Sequence, residues 1–546
     1  MLRFIYFLLL VLLFLSCHRS DNYYDKNKQV FRYNESAGIT SLDPAYAKDQ
    51  ANIWVCNQLF NGLLQLDDKL KIQPCIASKW EISNYGKTYT FTLRKDVYFH
   101  SNKIFKNLSR NVTANDFVFS FNRIIDEKNA SPGAWIFNYV KKENGSYAFN
   151  ALNDTVLEIT LKQSFPPFLG LLSMQYCSVV PHEAIEFYGK DFRKNPVGTG
   201  PFLIKLWKEG VKLVLLKNKD YFEFEKKERL PFLDAISITF IIDKQSVFLE
   251  FVKGNIDFIS GIDASYKDEL LTVNGQINSK YKNKFQMISQ PYLNTEYLAF
   301  LMDSNQNGMK NNPVKFKAVR QAINFGFDRV KMMRFLRNNI GAPALYGFIP
   351  KGLPGFDTSK IKAYSYQPDK SRKLLADAGF PNGENLGEIT LSTTSSYIDL
   401  CKYIQNQLTE IGLKINIDVN PPATLREMIA KSKIPFFRGS WIADYPDAEN
   451  YLSLFYSPNF CPSGPNYTHF SNKKFDMLYN KAQNEQNDSL RFIFYNQMDQ
   501  IIIDEAAVVV LYYDQVLRFV QNNIKGLGSN PMNLLSLKKV RKFNIK

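Results

Sequence analysis

The densest run of chemistry-bearing side chains is Arg438-Gly439-Ser440-Trp441-Ile442-Ala443-Asp444-Tyr445-Pro446-Asp447. Phe436 and Phe437 precede it and read as a buried strand, so Asp444 falls where a strand gives way to a loop. Such strand ends are where α/β folds hold their ligands. A carboxylate set among aromatics such as Trp441 and Tyr445 has lost much of its hydration, and stays charged only where a cation or several donors meet it. A ligand ammonium group supplies both charge and hydrogen bonds, and the Trp441 ring adds a cation–π face. The competing reading makes Asp444 an acid that caps a following helix over Asp447–Phe455. The first reading predicts recognition of an amine, with no bond made or broken.

Motifs for other chemistry are incomplete. Gly86-Lys87-Thr88 has the end of a phosphate-binding loop, but Glu81 stands where its first glycine belongs. Gly198-Thr199-Gly200 lacks the third glycine of a dinucleotide fingerprint, because Leu203 occupies that place. His182-Glu183 has no second histidine at zincin spacing, and no G-x-S-x-G nucleophile elbow occurs. The 4 histidines (His18, His100, His182 and His469) are far apart, so no local metal site or cofactor is expected. Cys56, Cys75, Cys177, Cys401 and Cys461 remain once Cys17 is set aside, an odd set without C-x-x-C spacing, so no disulfide framework is expected. The net charge of +16 comes from lysines spread along the chain, not the stripe or tail that nucleic acid selects. An enzyme and a nucleic-acid binder are both disfavoured.

The N-terminus carries an address. Arg3 is followed by 12 apolar or aromatic residues, Phe4 to Leu15, and then Ser16-Cys17. That is a secretory signal too short to span a bilayer. Cys17 after a small residue looks like the acylation site of bacterial lipoproteins, although Phe14 stands where leucine is usual. The reading is a signal peptide over 1–16 and a lipidated tether over 17–28, which places the rest outside the cytoplasm on a membrane anchor.

Elements that must position Asp444 follow from periodicity. Helical spacing runs from Asn52 to Leu64, and strand alternation flanks Asn84-Tyr85-Gly86-Lys87 as a hairpin. Thr113 and Asp116 form a capping box before Phe117. Strands are predicted at Ile236 to Ile242, Tyr297 to Leu301 and Lys414 to Val419, and helices at Gln245 to Val252, Lys315 to Phe325, Lys370 to Ala378 and Leu400 to Ile411. Alternating helices and strands in the second half predict an α/β arrangement. At 546 residues, two or three lobes are expected.

A series of blocks resembles the family 5 solute-binding proteins of ABC transporters, which bind dipeptides, oligopeptides and nickel. They include Ser41-Leu42-Asp43-Pro44, Asn57 to Leu63, Ile76 to Trp80, Tyr89 to His100, Thr113 to Ser120, Val197 to Phe202, Tyr297 to Phe300, Val319 to Asn324 and Trp441 to Asp447. The resemblance implies a two-lobed, Venus-flytrap periplasmic-binding-protein fold, class II-like, with an extra inserted α/β domain. Lobe I would comprise 21–60, 196–290 and 511–546, the inserted domain 61–195, and lobe III 291–510. It further implies that Asp444 salt-bridges a short peptide's α-ammonium, that Trp441 and Tyr445 belong to the pocket block, and that Arg438 faces the ligand or its carboxylate. The implied partners are the peptide and an ABC permease with its ATPase; a monomer is expected. Three departures stand out: Gly133 follows Ser131-Pro132 where an aromatic is usual, Asn420-Pro421-Pro422-Ala423 lacks a pocket tryptophan, and Asn294 and Ile442 replace a cysteine pair. A nickel-chelate or haem binder of the same fold, a peptide sensor without a permease and an extracytoplasmic hydrolase are the alternatives.

Overall fold

Two long strands, Phe285–Phe300 and Val508–Gln521, run antiparallel through the middle of the molecule, from Phe285 opposite Gln521 to Ala299 opposite Val508. Both are rich in β-branched and aromatic residues and are mostly buried, as strands covered on two faces must be. The computed structural model describes residues 28–544 apart from Ala264 and Asn307; the signal segment, Cys17 and most of the tether lie outside the described residues.

One continuous sheet contains both strands. Its order is Phe202–Lys208, Lys212–Lys217, Ala235–Thr239, Val30–Asn34, Phe258–Ser260, Val508–Gln521, Phe285–Phe300, Phe436–Ile442, Glu388–Thr393 and Lys414–Val419. The first five strands make one lobe and the last three the other, so the two long strands are the crossovers. Between Pro291, opposite Gln515, and Thr295, opposite Tyr513, the register slips. Tyr292, Leu293 and Asn294 thus face Asp514 alone, a bulge at the junction of the lobes.

A separate four-stranded antiparallel sheet, in the order Ala77–Ser83, Thr88–Leu93, Val156–Thr160 and Phe149–Asn153, is covered by the helix Ala114–Ile125. That helix begins with the capping box of Thr113 and Asp116. Its Phe117, Phe121 and Ile124 enter a core continuous with Phe31, Trp54 and Leu59 of the first lobe. The far lobe has separate cores on the two sides of the sheet, around Phe348, Tyr451 and Met498 and around Leu298, Ile404 and Phe436.

Several elements differ from expectation. The helix predicted over Asn52 to Leu64 spans Gln50–Leu59. Phe60 is extended because the Leu59 carbonyl accepts the amide of Gly200 at 2.9 Å. A Cβ on Gly198 would lie 2.1 Å from Leu59 O and one on Gly200 2.4 Å from Leu59 C, so these glycines serve a close backbone crossing. The short strand read at Tyr297 to Leu301 is the end of Phe285–Phe300. Helices Lys473–Asn484 and Asp488–Asp504 fill a stretch the periodicity leaves unassigned.

Candidate functional site

Asp444 lies two residues beyond the end of the strand Phe436–Ile442. The Ala443 amide donates to Leu293 O in the crossover bulge at 2.9 Å, and the Tyr451 hydroxyl donates to the same carbonyl at 2.7 Å. Asn450 Oδ1 then accepts from Trp441 Nε1 at 2.9 Å and from the Asp444 amide at 3.3 Å. The loop is thus held at both ends, and the ring and carboxylate are oriented by one amide side chain.

The acids of this block have different fates. Asp447 is buried, accepts from the Tyr495 hydroxyl at 2.8 Å and pairs with Arg491 at 3.3 Å. Its Oδ1 also accepts the Glu449 amide at 2.9 Å, so Asp447, not Asp444, meets the first amide of the short helix Glu449–Leu452, whose N-cap is Ala448. Glu449 is buried and accepts from the hydroxyls of Tyr445 and Tyr479, and burial pushes its carboxyl up to about 7. Asp444 forms no ion pair among the described residues, and its side chain is open to solvent. The protein crowded around it raises its pKa by desolvation, opposed by a hydrogen bond from Asn450.

Trp441 is half-buried and Tyr445 buried, its hydroxyl committed to Glu449. Arg438 is placed differently from the expectation that it faces a ligand. Its guanidinium pairs with buried Glu296 and lies 3.3 Å over the Tyr397 ring centroid. Glu296 also accepts from Asn294 Nδ2 at 3.0 Å. This pairing neutralises the arginine within its own lobe.

The inserted domain reaches the same place. Tyr445 lies 6.2 Å from Trp135, ring centroid to centroid, and a Cβ on Gly170 would stand 3.5 Å from Pro446. Gln486 Nε2 donates to Ser164 Oγ at 2.6 Å. Tyr176 is a site residue that the sequence does not disclose. Its ring covers Gly133 so closely that a Cβ there would meet Tyr176 Cγ at 2.5 Å. The missing aromatic after Ser131-Pro132 is thus replaced in space by one from another segment. Burial, then the charges of Asp444 and Asp49, push the Tyr176 phenol up to about 12. A hollow of about 390 Å³ lies along the crossovers between the lobes, lined by Gln50, Lys267, Tyr292, Arg337 and Asp514.

Asn294 and Ile442 are register partners on neighbouring strands, and the described cysteines are all free. Residues 71–460 match the profile of the bacterial extracellular solute-binding proteins, family 5 (Middle). The chain belongs to that family. Family 5 members are the solute-binding components of ABC importers and are not enzymes. Heme-binding protein A of Haemophilus influenzae is 27% identical over 490 residues, covering 87% of this chain and 85% of the relative. The glutathione-binding protein GsiB of Shigella flexneri serotype 5b is 25% identical, covering 91% of each. The Helicobacter pylori periplasmic binding protein DppA, solved with the peptide STSA, superposes with a TM-score of 0.72 at 24% identity, covering 95% of this chain and 99% of that one. The family 5 fold therefore spans nearly the whole chain, with the two lobes and the inserted domain converging on the Asp444 loop.

Proposed function

We propose that this family 5 protein captures short peptides, with the peptide α-ammonium on Asp444 and the chain running between the lobes, and delivers them to a membrane permease. The observation that carries the reading is that Asp444, alone among the acids of its block, has no cationic or phenolic partner among the described residues. A desolvated carboxylate held by Asn450 and bordered by Trp441 is a receptor for one ammonium group. Arg438 is bound to Glu296, so it serves as a wall of the pocket and leaves the peptide carboxylate to other groups. Affinity beyond the ammonium comes from main-chain hydrogen bonds to an extended peptide. The lobes are assigned the boundaries 291 and 511, close to the crossover bulge.

The haem and nickel readings of the same fold draw less support from the residues present. Among the described histidines, His100 is buried behind the Gly198–Gly200 crossing, His182 sits beside Glu183 on a helix, and His469 is in the interior of the far lobe. Lipidation at Cys17 is proposed as the tether that keeps the clamp near its permease. Cys17→Ser is expected to yield a soluble protein with unchanged ligand affinity.

Calorimetry with di- to pentapeptides tests the central claim. Asp444→Asn is expected to weaken binding about thirtyfold or more, matching the loss of ~2 kcal/mol or above when one side of a buried charge pair is removed. N-acetylated peptides should bind the wild type as poorly as free peptides bind the mutant. Equal binding by mutant and wild type would remove the amine anchor.

A further inference from the structure

In the far lobe, away from the Asp444 loop, four side chains converge that the transport reading does not use. Cys461 Sγ lies 3.3 Å from His469 Nε2, and Ser432 Oγ lies 3.1 Å from the sulfur and 3.0 Å from the same nitrogen. His469 Nδ1 faces Asp303 Oδ2 at 3.5 Å. Asp303 is fixed in turn by Gln306 Nε2 at 2.9 Å and the Asn305 amide at 2.9 Å, and these bonds, with His469, hold its carboxyl below the usual range. Phe460 stacks on the imidazole at 4.6 Å and 3°. The ring is therefore fixed in plane, with one nitrogen facing a carboxylate and the other on a thiol. Tyr467 is the further titratable group that faces the sulfur.

This order, thiol to imidazole to carboxylate, is the arrangement that activates cysteine nucleophiles. The Cys461 carbonyl lies 3.1 Å from Nε2. Once Nε2 takes the thiol proton, that carbonyl accepts a hydrogen bond that the neutral pair cannot make. None of the other four described cysteines is hydrogen-bonded to a histidine. Burial raises the thiols of Cys56, Cys177 and Cys401 and pushes that of Cys75 up to about 12. Cys56, Cys75 and Cys177 lie in the core shared by the first lobe and the inserted domain, and Cys401 in a separate core of the far lobe. None is bonded to Cys461, which is free and, though only 4% exposed, directly precedes the exposed Pro462-Ser463 turn.

We propose that Cys461, with His469 as proton acceptor and Asp303 as the residue positioning it, is a site of reversible S-thiolation by small disulfides. The thiol proton passes to His469 Nε2 and the sulfur attacks one sulfur of R–S–S–R. The S–S bond breaks, a Cys461–S–S–R bond forms and RS⁻ leaves to be protonated. Cys461 is oxidised and the departing half of the disulfide is reduced, so one RSH is produced per adduct. With no second cysteine bonded or adjacent in this cluster, the mixed disulfide persists until an external thiol reverses it.

The reduced full-length chain, freed of reductant, is incubated with cystine or glutathione disulfide and followed by intact mass and peptide mapping. The expected result is a single adduct at Cys461, removed by dithiothreitol, while the four core cysteines stay unmodified. His469→Asn is expected to slow adduct formation about a hundredfold, the lower range for a positioned general base. Asparagine tolerates the left-handed backbone of His469 (φ 50°), so the variant should fold. Asp303→Asn serves as an independent variant and should slow the reaction by a smaller factor. No adduct at Cys461, equal modification of the core cysteines, or wild-type rates in the variants would each overturn the proposal.

Discussion

Asp444 and Glu449 are five residues apart, and both carboxyls are pushed up by the protein around them, Asp444 at an exposed position and Glu449 in the interior, so they call for opposite experiments. Asp444 is open to solvent and without an ionic partner among the described residues, so on the proposed reading a proton and a ligand ammonium compete for one carboxylate. Peptide affinity should hold level near neutrality and fall as pH drops through the raised pKa of the free protein, approaching tenfold per unit. The alkaline limb belongs to the peptide amine, which titrates near ~8. Calorimetry from pH 4 to 9 should show the acid limb in the wild type and not in Asp444→Asn. Glu449 has no ligand role; it holds Tyr445 and Tyr479. Its folded pKa of about 7 exceeds the ordinary 4.5, so the folded state binds the proton more tightly than the unfolded chain. This contribution is fully present below about pH 4.5 and is lost as pH rises through 7, amounting to about 3 kcal/mol. Asp499, buried and raised to about 7 while accepting the Phe348 amide at 2.6 Å, acts in the same direction. Denaturant unfolding at pH 5 and pH 8.5 should therefore show a loss of stability at the higher pH that Glu449→Gln reduces. An unchanged pH difference in that variant would mean Glu449 does not carry the proton.

At the scale of elements, the site depends on contacts between segments distant in sequence. The Asp444 loop was legible because Phe436-Phe437 mark a buried strand and the polar–aromatic block begins where that strand must end. Asp116 in its capping box and the hairpin at Asn84–Gly86 were legible for the same reason: their signals lie within four residues. Tyr176 was not, because its contact with Gly133 joins residues 43 positions apart, and no local pattern encodes which aromatic fills a glycine's space. Nor was the pairing of Arg438 with Glu296 visible, since it depends on the register of neighbouring strands in which Leu298 opposes Arg438. Gly198 provides a test of such a contact. Its φ is not left-handed, so alanine strains nothing locally, but the new Cβ would stand 2.1 Å from a backbone oxygen that cannot swing aside. Gly198→Ala should cost about 3 kcal/mol or more, above the usual range for overpacking by one carbon. Thermal unfolding would read it, and a loss under 1 kcal/mol would mean the crossing is loosely packed. Gly133→Ala should cost stability as well and alter binding, because the new Cβ would meet Tyr176 Cγ at 2.5 Å and Cβ at 2.9 Å, and displacing that buried ring moves it among the charges of Asp444 and Asp49.

For the whole molecule, the crossover strands and the contacts across the cleft set the balance between shut and open clamps. Among the described residues only Phe285–Phe300 and Val508–Gln521 carry sheet pairing from one lobe to the other, and the bulge at Tyr292–Asn294 interrupts their ladder where bending costs least. Away from that bulge, the far lobe touches the inserted domain through Gln486 on Ser164 and Tyr445 beside Trp135. If opening parts these residues, each contact weighs toward the shut state without touching a ligand. A side-chain hydrogen bond contributes a net ~1 kcal/mol, which shifts a two-state balance about fivefold. Apparent affinity scales with the fraction of protein able to close, so removing the bond should weaken peptide binding by up to that factor. Gln486→Ala is the clean variant, since Gln486 is partly exposed and lies in the link between two helices. Calorimetry should show two- to fivefold weaker binding, about the size of one net hydrogen bond. Small-angle scattering should show the unliganded variant more open than the wild type, with the two converging at saturating peptide. Wild-type affinity together with an unchanged unliganded shape would show that closure rests on the ligand alone. Asp444→Asn gives the complementary pattern, an unchanged unliganded shape and failure to close at peptide concentrations that saturate the wild type, which separates loss of the anchor from loss of the latch.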